Sequence, residues 1–231
     1  MPMLFRRRQA PSIASPWLTP ASPNDPHDTL KGLYNLAVQI PELLGRIDKF
    51  CSSSSLEPSR LLDILQDFEK LDVAFGSWVQ TYLSGRTIPA YRRSDDGTQA
   101  SKSFKVFIDP ICQPDKPDAR DLEFSDQSAS GILARYWNLR LELLVGMHDV
   151  LQLLHISHDP DLQILSETRI QYVHAEARTT AWMASQAIDH VSTCLEGRVA
   201  AQGPLDIVTR YYERFAEPAD QKDLPKTAAF V

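Results

Sequence analysis

Cysteine is scarce in this chain, which has only Cys51, Cys112 and Cys194 among its 231 residues. The three lie far apart and form no Cys-x-x-Cys pair. Neighbours in sequence can therefore build neither a disulfide framework nor a zinc cluster. This usage of cysteine is typical of a protein in a reducing compartment.

Glycine is also scarce, and the nine glycines form neither GxGxxG nor GxxxxGK. The chain therefore lacks the loops that hold phosphates in dinucleotide-binding and P-loop proteins. It lacks the GxSxG turn of serine hydrolases as well. His174 and Glu176 form a His-x-Glu triplet, but no Pro-Cys-x-x-Cys follows it, which excludes a zinc deaminase. We therefore expect no catalytic residue and no cofactor.

The sequence also has no long apolar segment that is free of charged residues. The segment Ala134–Leu151 is rich in leucine and aromatic residues, but it also contains Arg135, Arg140 and Glu142. Each central charge costs about 2.5 kcal/mol or more in a bilayer, so this segment does not span a membrane. The start of the chain, "MPMLFRRRQAPS", has no apolar run of the secretory kind, and its prolines disfavour the amphipathic helix of a mitochondrial presequence.

Length and charge indicate an ordinary globular protein. The chain is long enough for one sizeable core, and its hydrophobic fraction of 43% is close to the globular average. The net charge of −6 disfavours general attraction to nucleic acid or to an acidic membrane surface. We therefore expect no membrane partner.

Hydrophobic periodicity predicts helices over most of the chain. The clearest stripe has apolar residues three and four positions apart, at Leu61, Ile64, Phe68, Leu71, Phe75, Trp78 and Tyr82. Gly85 is predicted to end this helix. The next helix, capped by Ser128 or Ser130, is apolar nearly all round, which places it in the middle of a bundle.

Proline and glycine predict where the helices break. Pro41 interrupts an apolar pattern, so either one helix kinks there or a second helix begins with Pro41 at its first position. A later helix with a stripe of small alanines extends to about Leu195. Gly197 is predicted to end it, and Gly203–Pro204 to start the last helix.

These patterns predict an all-α fold, a multi-helix bundle of long antiparallel helices with a long irregular insert. Residues 1–28 are predicted to be a disordered arm rich in proline and arginine, and residues 29–216 to form the helical domain. The insert covers about residues 85–126, where Phe104–Ile108 either forms a short strand or docks on the helices. Residues 217–231 are a frayed tail.

One group of residues suggests a metal site. His148 and His155 are seven positions apart, so they share a face of a helix, and Asp149 and His158 lie near them in sequence. A metal-dependent helical hydrolase of the His-Asp type would need further ligands from other helices. Both histidines also fall on a leucine stripe, where a hydrogen-bonded core histidine is the ordinary alternative. We predict no metal and keep this set as an alternative hypothesis.

Six large side chains are candidates for a pocket that binds an effector or a partner: Trp78, Tyr82, Tyr136, Trp137, Met147 and Trp182. Aromatic residues at strict helical spacing are more often part of a core than of a pocket. We therefore expect most of the six to be structural.

Three segments together resemble a known family. Leu36–Phe50 resembles an alanine–hydrophobic–proline–leucine-pair segment, Ala134–Leu144 resembles a Tyr-Trp helix, and Ala184–Val208 resembles a helix leading to a Gly-Pro turn. This arrangement is similar to the helical regulatory region of fungal zinc binuclear-cluster transcription factors, downstream of their DNA-binding module. The match spans about residues 30–215.

The chain also departs from that family. The DNA-binding module of that family needs six closely spaced cysteines that hold two zinc ions, and this chain lacks them, so no zinc ligand is carried over. We therefore expect no direct sequence-specific DNA binding by this chain alone. After Gly203–Pro204 the family continues with an apolar Phe-Pro-Leu run, whereas this chain turns polar. The resemblance implies a truncated or degenerate regulator of a secondary-metabolite or nutrient pathway, located in the nucleus, with the cytoplasm as the alternative.

Three functional hypotheses follow. The first is a non-enzymatic, all-α transcription-regulator-like module that contacts a protein partner or a small effector. The alternative is a metal-dependent helical hydrolase that uses the His/Asp cluster. The third is a scaffold whose exposed aromatic residues mark the face of a homodimer.

Overall fold

The computed structural model describes residues 26–52, 57–93, 122–157, 159–193 and 195–215. Several predicted features lie outside the described residues, namely the arm up to residue 25, Phe104–Ile108, His158 and the tail 217–231.

The described chain is almost entirely helical. Its helices are α1 (Pro26–Ala37), α2 (Ile40–Ser52), α3 (Pro58–Ser84), α4 (Gln127–His155), α5 (Pro160–Val191) and α6 (Leu195–Phe215). The prediction of an all-α fold is confirmed. Among the described residues, no helix combines the length and the apolar composition that crossing a bilayer requires.

Helix α4 lies in the middle of the bundle, as its all-round apolar pattern predicts. It packs against α1, α2, α3, α5 and α6. Leucines on different sides of the helix are fully buried, among them Leu133, Leu141, Leu143 and Leu151. Since one helix face can bury only one stripe of side chains, several neighbours are needed to cover this helix.

Helices α4 and α5 form a long antiparallel pair. Ser130 near the start of α4 lies 3.0 Å from the His190 ring near the end of α5, and His155 at the end of α4 lies 3.3 Å from Ser166 near the start of α5. The face of α5 that meets α4 carries small buried residues, including Ala177, Ala181, Ala184 and Ala187. Small side chains let the two backbones approach closely.

The chain begins a second helix near Pro41 and does not continue the first helix through it. Helix α1 ends at Ala37, residues 38–39 form a turn, and α2 begins at Ile40 with Pro41 as its second residue. The alternative of a second helix is therefore confirmed. Proline fits the first turn of a helix because the amide hydrogen it lacks would have no partner there.

Helix α4 begins earlier than predicted. Its N-cap is Asp126, and not Ser128 or Ser130, because the Asp126 carboxylate accepts a hydrogen bond of 2.7 Å from the Ala129 amide. The Arg86 guanidinium donates to the same carboxylate at 2.7 Å. The Ala129 hydrogen bond and these neighbours hold the pKa of Asp126 below its usual value. The charged carboxylate also suits the positive end of the helix dipole.

The two ends of the predicted irregular insert pair as strands. Strand β1 (Tyr91–Arg93) runs antiparallel to β2 (Leu122–Phe124), with Tyr91 opposite Phe124. Both rings pack against Trp137 of α4, at centroid distances of 5.6 and 6.2 Å. The sequence analysis missed this ribbon, which anchors both ends of the insert on the core.

The predicted boundary of the last helix is wrong. Helix α6 runs without interruption through Gly197 and has Pro204 inside it, while the chain turns at residues 192–193. A Cβ atom on Gly197 would collide with the carbonyl oxygen of Val191. This glycine therefore allows the start of α6 to approach the end of α5 and does not end a helix. Pro204 removes one helical hydrogen bond, and the helix continues past it.

Gly146 of α4 provides a test of the core packing. A Cβ atom there would lie 2.7 Å from the buried Phe68 ring and 2.8 Å from the Leu44 side chain. We expect Gly146→Ala to lower the free energy of unfolding by up to about 2 kcal/mol, because overpacking costs about 1–3 kcal/mol and the gain in helix propensity of about 1 kcal/mol offsets only part of it. Urea unfolding measures the change.

The matched control is Gly76→Ala in α3, where no atom lies within 4 Å of the added Cβ. This variant should be neutral or more stable by up to about 1 kcal/mol, since only the propensity gain operates. Equal effects at both positions would contradict the packing of α3 on α4 described here.

Candidate functional site

The predicted pocket aromatics form a ladder inside the bundle. Trp78 of α3 stacks on Tyr82 at 5.7 Å and on Tyr136 of α4 at 5.6 Å between ring centroids. Tyr136 in turn contacts the Trp137 ring at 6.5 Å. Burial raises the pKa of Tyr136 to about 12. These rings fill space between helices by packing on one another.

The other two predicted pocket residues lie elsewhere in the fold. Met147 is buried in α4, eleven residues from Tyr136, which corresponds to about 16 Å along the helix. Trp182 of α5 is half-buried against the core. The structure therefore places the six residues in or against the core and does not gather them around one cavity.

The described residues of the alternative metal hypothesis, His148, Asp149 and His155, do not meet at one point either. His148 and His155 lie about 10 Å apart along α4. Asp149 accepts hydrogen bonds from Arg214, and the His155 ring lies 3.3 Å from the Ser166 hydroxyl. Within the described ranges, no group of three or more histidines, cysteines and acids is placed to hold a metal ion.

A shallow groove lies between α2 and α3. Its volume is about 250 Å³, and its lining consists of Arg46, Lys49, Phe50, Arg60, Asp63 and Ile64. Two of the cations already have acidic neighbours, since Arg46 contacts Asp67 at 2.7 Å and Arg60 contacts Glu57 at 2.8 Å. None of the predicted pocket residues lines this groove.

The outer face of α5 carries an exposed strip of side chains without charge. Exposed residues without charge recur there at helical spacing, and we call them the α5 stripe: Ile164, Leu165, Thr168, Tyr172, Ala175 and Thr179. Ile164 is 69% exposed and Tyr172 is 66% exposed. The Thr179 hydroxyl donates back to the Ala175 carbonyl at 3.1 Å, so it satisfies its hydrogen bond within the helix.

The stripe extends over about 22 Å, or four helical turns. Residues three and four apart are neighbours on a helix surface, so the six side chains form one continuous strip. Solvent-facing helix surfaces are ordinarily charged or strongly polar. At the N-terminal end the strip approaches the end of α4, where Ile156 is 69% exposed and the Gln163 amide donates to the Ser157 carbonyl at 2.7 Å.

The two edges of the stripe differ in charge. On one edge the charges are matched by other helices, since Arg169 contacts Glu69 of α3 at 2.7 Å and Glu176 contacts Arg140 of α4 at 3.2 Å. On the other edge, Glu167 and Arg178 are exposed and lie three turns apart along α5. A partner surface would therefore meet an acidic position near one end of the stripe and a basic position near the other.

Arg140 holds α5 in place beside α3 and α4. Its guanidinium donates to Asp72 of α3 at 2.8 Å and to Glu176 of α5 at 3.2 Å, and only 21% of its side chain is exposed. Burial disfavours the charged guanidinium, but the two carboxylates outweigh this effect and raise the pKa of Arg140. One buried cation therefore ties three helices together.

The α5 stripe was not predicted from the sequence, in which only the alanine face of this helix was recognised. A signal was available, because five of the positions follow one another at intervals of three and four, Ile164 precedes the first of them directly, and none of the six residues is acidic or basic. The exposure of these positions, however, depends on which side of α5 faces α4.

Comparisons of the chain with models of protein families, with curated proteins and with solved structures find no significant match. The resemblance to the regulatory region of fungal zinc-cluster transcription factors therefore stays a prediction.

Replacement of Arg140 tests the framework that positions α5. We expect Arg140→Met to lower the free energy of unfolding by about 2–3 kcal/mol, because the variant leaves two half-buried carboxylates without their cation. Urea unfolding at neutral pH measures the loss.

Arg169→Met is the matched control, since Arg169 also connects α5 with α3 but is 43% exposed, and its partner Glu69 is 41% exposed. An exposed pair of this kind contributes at most about 1 kcal/mol. If the two variants lose the same stability, Arg140 does not have the role described here.

Proposed function

We propose that this chain is a non-enzymatic helical regulatory module of the transcription-regulator kind. It acts by binding an amphipathic helix of a partner protein on the α5 stripe. The observation that carries the proposal is the strip of exposed, uncharged side chains on the outer face of α5. Exposed apolar strips on folded proteins commonly mark interaction sites.

The shape of the stripe favours a helix as the occupant. Its four turns match the length of a typical recognition helix, and its side chains recur at the spacing of helical neighbours. Tyr172 is a large aromatic side chain of the type that dominates the energy of many protein interfaces, and Leu165 provides a second large apolar side chain two turns away. Ala175 leaves a shallow position between larger neighbours, into which a side chain of the partner fits.

The charged residues beside the stripe indicate where the partner helix carries charges of its own. A helix that packs its apolar face on the stripe places a lysine or arginine near Glu167 and an aspartate or glutamate near Arg178. Such pairs contribute mainly to orientation and specificity. The inner face of α5 supports the same function, because the close contact with α4 holds the stripe on a rigid helix.

The regulatory role and the nuclear location rest on the resemblance to the fungal regulators. Of the segments that carry it, Ala134–Leu144 belongs to α4, which packs on α5, and Ala184–Val208 includes the end of α5 and the start of α6. Leu36–Phe50 lies in α1 and α2, which pack on α3 and α4. In this proposal the chain contributes a protein contact, and other proteins supply the binding to DNA.

A tethering assay in fungal cells tests the proposal. The chain is fused to an unrelated DNA-binding domain and placed upstream of a reporter gene, where we expect it to change transcription. The variant with Leu165→Glu and Tyr172→Glu should reduce that effect at least about tenfold, which corresponds to the loss of about 1.4 kcal/mol of binding energy at interface anchors.

The control is Val199→Glu on α6, which replaces an equally exposed apolar residue away from the stripe. Circular dichroism and urea unfolding establish that all variants remain folded. The proposal fails if the unaltered chain leaves the reporter unchanged or if Val199→Glu has the same effect as the stripe variant. A dimer in light scattering that Tyr172→Glu abolishes would identify a second copy of this chain as the occupant, which contradicts the partner helix proposed here.

A further inference from the structure

The groove between α2 and α3 is built from the same residue pattern on both helices. Each helix provides the positions i, i+3 and i+4, which are Arg46, Lys49 and Phe50 on α2 and Arg60, Asp63 and Ile64 on α3. Residues at this spacing are neighbours on one helix face. On each helix the third residue is apolar and buried, and the first two are charged. The groove therefore has an apolar base and charged walls.

The cations of the groove have hydrogen-bond donors to spare. Asp67 accepts a hydrogen bond from Nη1 of Arg46, and Glu57 contacts Nε of Arg60. A guanidinium carries five N–H donors, so each of these pairs leaves other donors for a ligand. Lys49 is exposed and forms no ion pair with any residue that the structure describes. Its ammonium group therefore offers three further donors at the groove.

Positive charge exceeds negative charge around the groove. Lys70 contacts Asp67 at 3.1 Å, so this one carboxylate is shared by Lys70 and Arg46. With Lys70 counted beside the lining cations, four positive side chains stand against three acidic ones, which are Glu57, Asp63 and Asp67. The chain as a whole carries a net charge of −6, so this excess is local. It favours a ligand with one negative charge.

We propose that this groove binds a small organic acid in which a single carboxylate is joined to an apolar aryl or alkyl body. The carboxylate lies between Lys49 of α2 and Arg60 of α3 and accepts charge-assisted hydrogen bonds from both. The apolar body covers Phe50 and Ile64 and packs against the methylene stems of the cations. Such a site combines an apolar base with a few polar groups that fix the orientation of the ligand.

The size of the groove and its one acidic lining residue restrict the ligand. The volume of about 250 Å³ is below the range of about 300–1,000 Å³ found for pockets that hold drug-sized ligands, so the apolar body is a single ring or a short chain. The Asp63 carboxylate repels a second negative charge, which disfavours phosphate esters and dicarboxylates. No residue of the groove belongs to the α5 stripe, so this inference does not depend on the proposed partner helix.

Titration of the full chain with phenylpropionate tests the site, with amide proton–nitrogen correlation NMR as the readout. At neutral pH we expect saturable shifts in the backbone amides of residues 46–50 and 60–64. Phenylpropanamide, which has the same body without the charge, should bind at least about tenfold more weakly, because it loses the charge-assisted hydrogen bonds. Inorganic phosphate should not reproduce the shifts.

Variants of the groove change the affinity in opposite directions. The double variant Lys49→Gln with Arg60→Gln should bind phenylpropionate at least about tenfold more weakly, because both donors lose their charge. Asp63→Asn should bind it about threefold more tightly, because the variant removes the acidic residue of the lining. A destabilised protein would not gain affinity, so the second result separates binding from folding.

Arg210→Gln is the matched control. Arg210 contacts an acidic residue one turn away on its own helix, as Arg60 does, but it lies on α6. Its replacement should leave the affinity unchanged. The proposal is overturned if phenylpropionate causes no saturable shift in the groove, if phenylpropanamide or phosphate binds there equally well, or if Arg210→Gln loses as much affinity as the double variant.

Discussion

Helix α4 has apolar side chains around its whole circumference, and water is excluded from all of them only when other helices cover every side. This requirement shapes the rest of the bundle. Helices α3, α5 and α6 all pack on α4, and the paired strands β1 and β2 place two aromatic rings against its Trp137. Gly146 allows α2 and α3 to approach it closely through Leu44 and Phe68. A central helix of this kind makes the fold cooperative, because no neighbour can leave without exposing apolar surface.

Because α4 must be covered on every side, aromatic and histidine side chains on and around it pack against other side chains. Tyr136 and Trp137 belong to the central helix, so their rings pack on other rings. His190 contacts the Ser130 hydroxyl and the Phe124 ring, which is also a packing role. On the far side of α5, a helix that is well fixed on its inner face exposes uncharged side chains. Rigid support and an uncharged exposed face are both features of a protein-docking surface.

The attachment of α6 differs physically from that of α5. Helix α5 follows α4 along nearly its whole length, whereas the end of α6 is attached through a few polar and aromatic contacts near Asp149 and His148. The burial of alanine and leucine along α5 holds that helix over most of its length. The last turn of α6 depends instead on a small number of specific contacts, above all the ion pair of Arg214 with Asp149.

The sequence by itself determined the helical class, the extent of α3 up to Gly85 and the central position of α4, because hydrophobic periodicity is a local property that survives in any packing. It did not determine the β1–β2 ribbon, whose strands lie about thirty residues apart, or the continuity of α6 through Pro204. It identified His148 as a candidate but paired it with His155, its neighbour on the same helix, whereas the structure places it beside His174. Only the tertiary structure decided which side chains meet, because distances between helices depend on their packing and not on spacing along the chain.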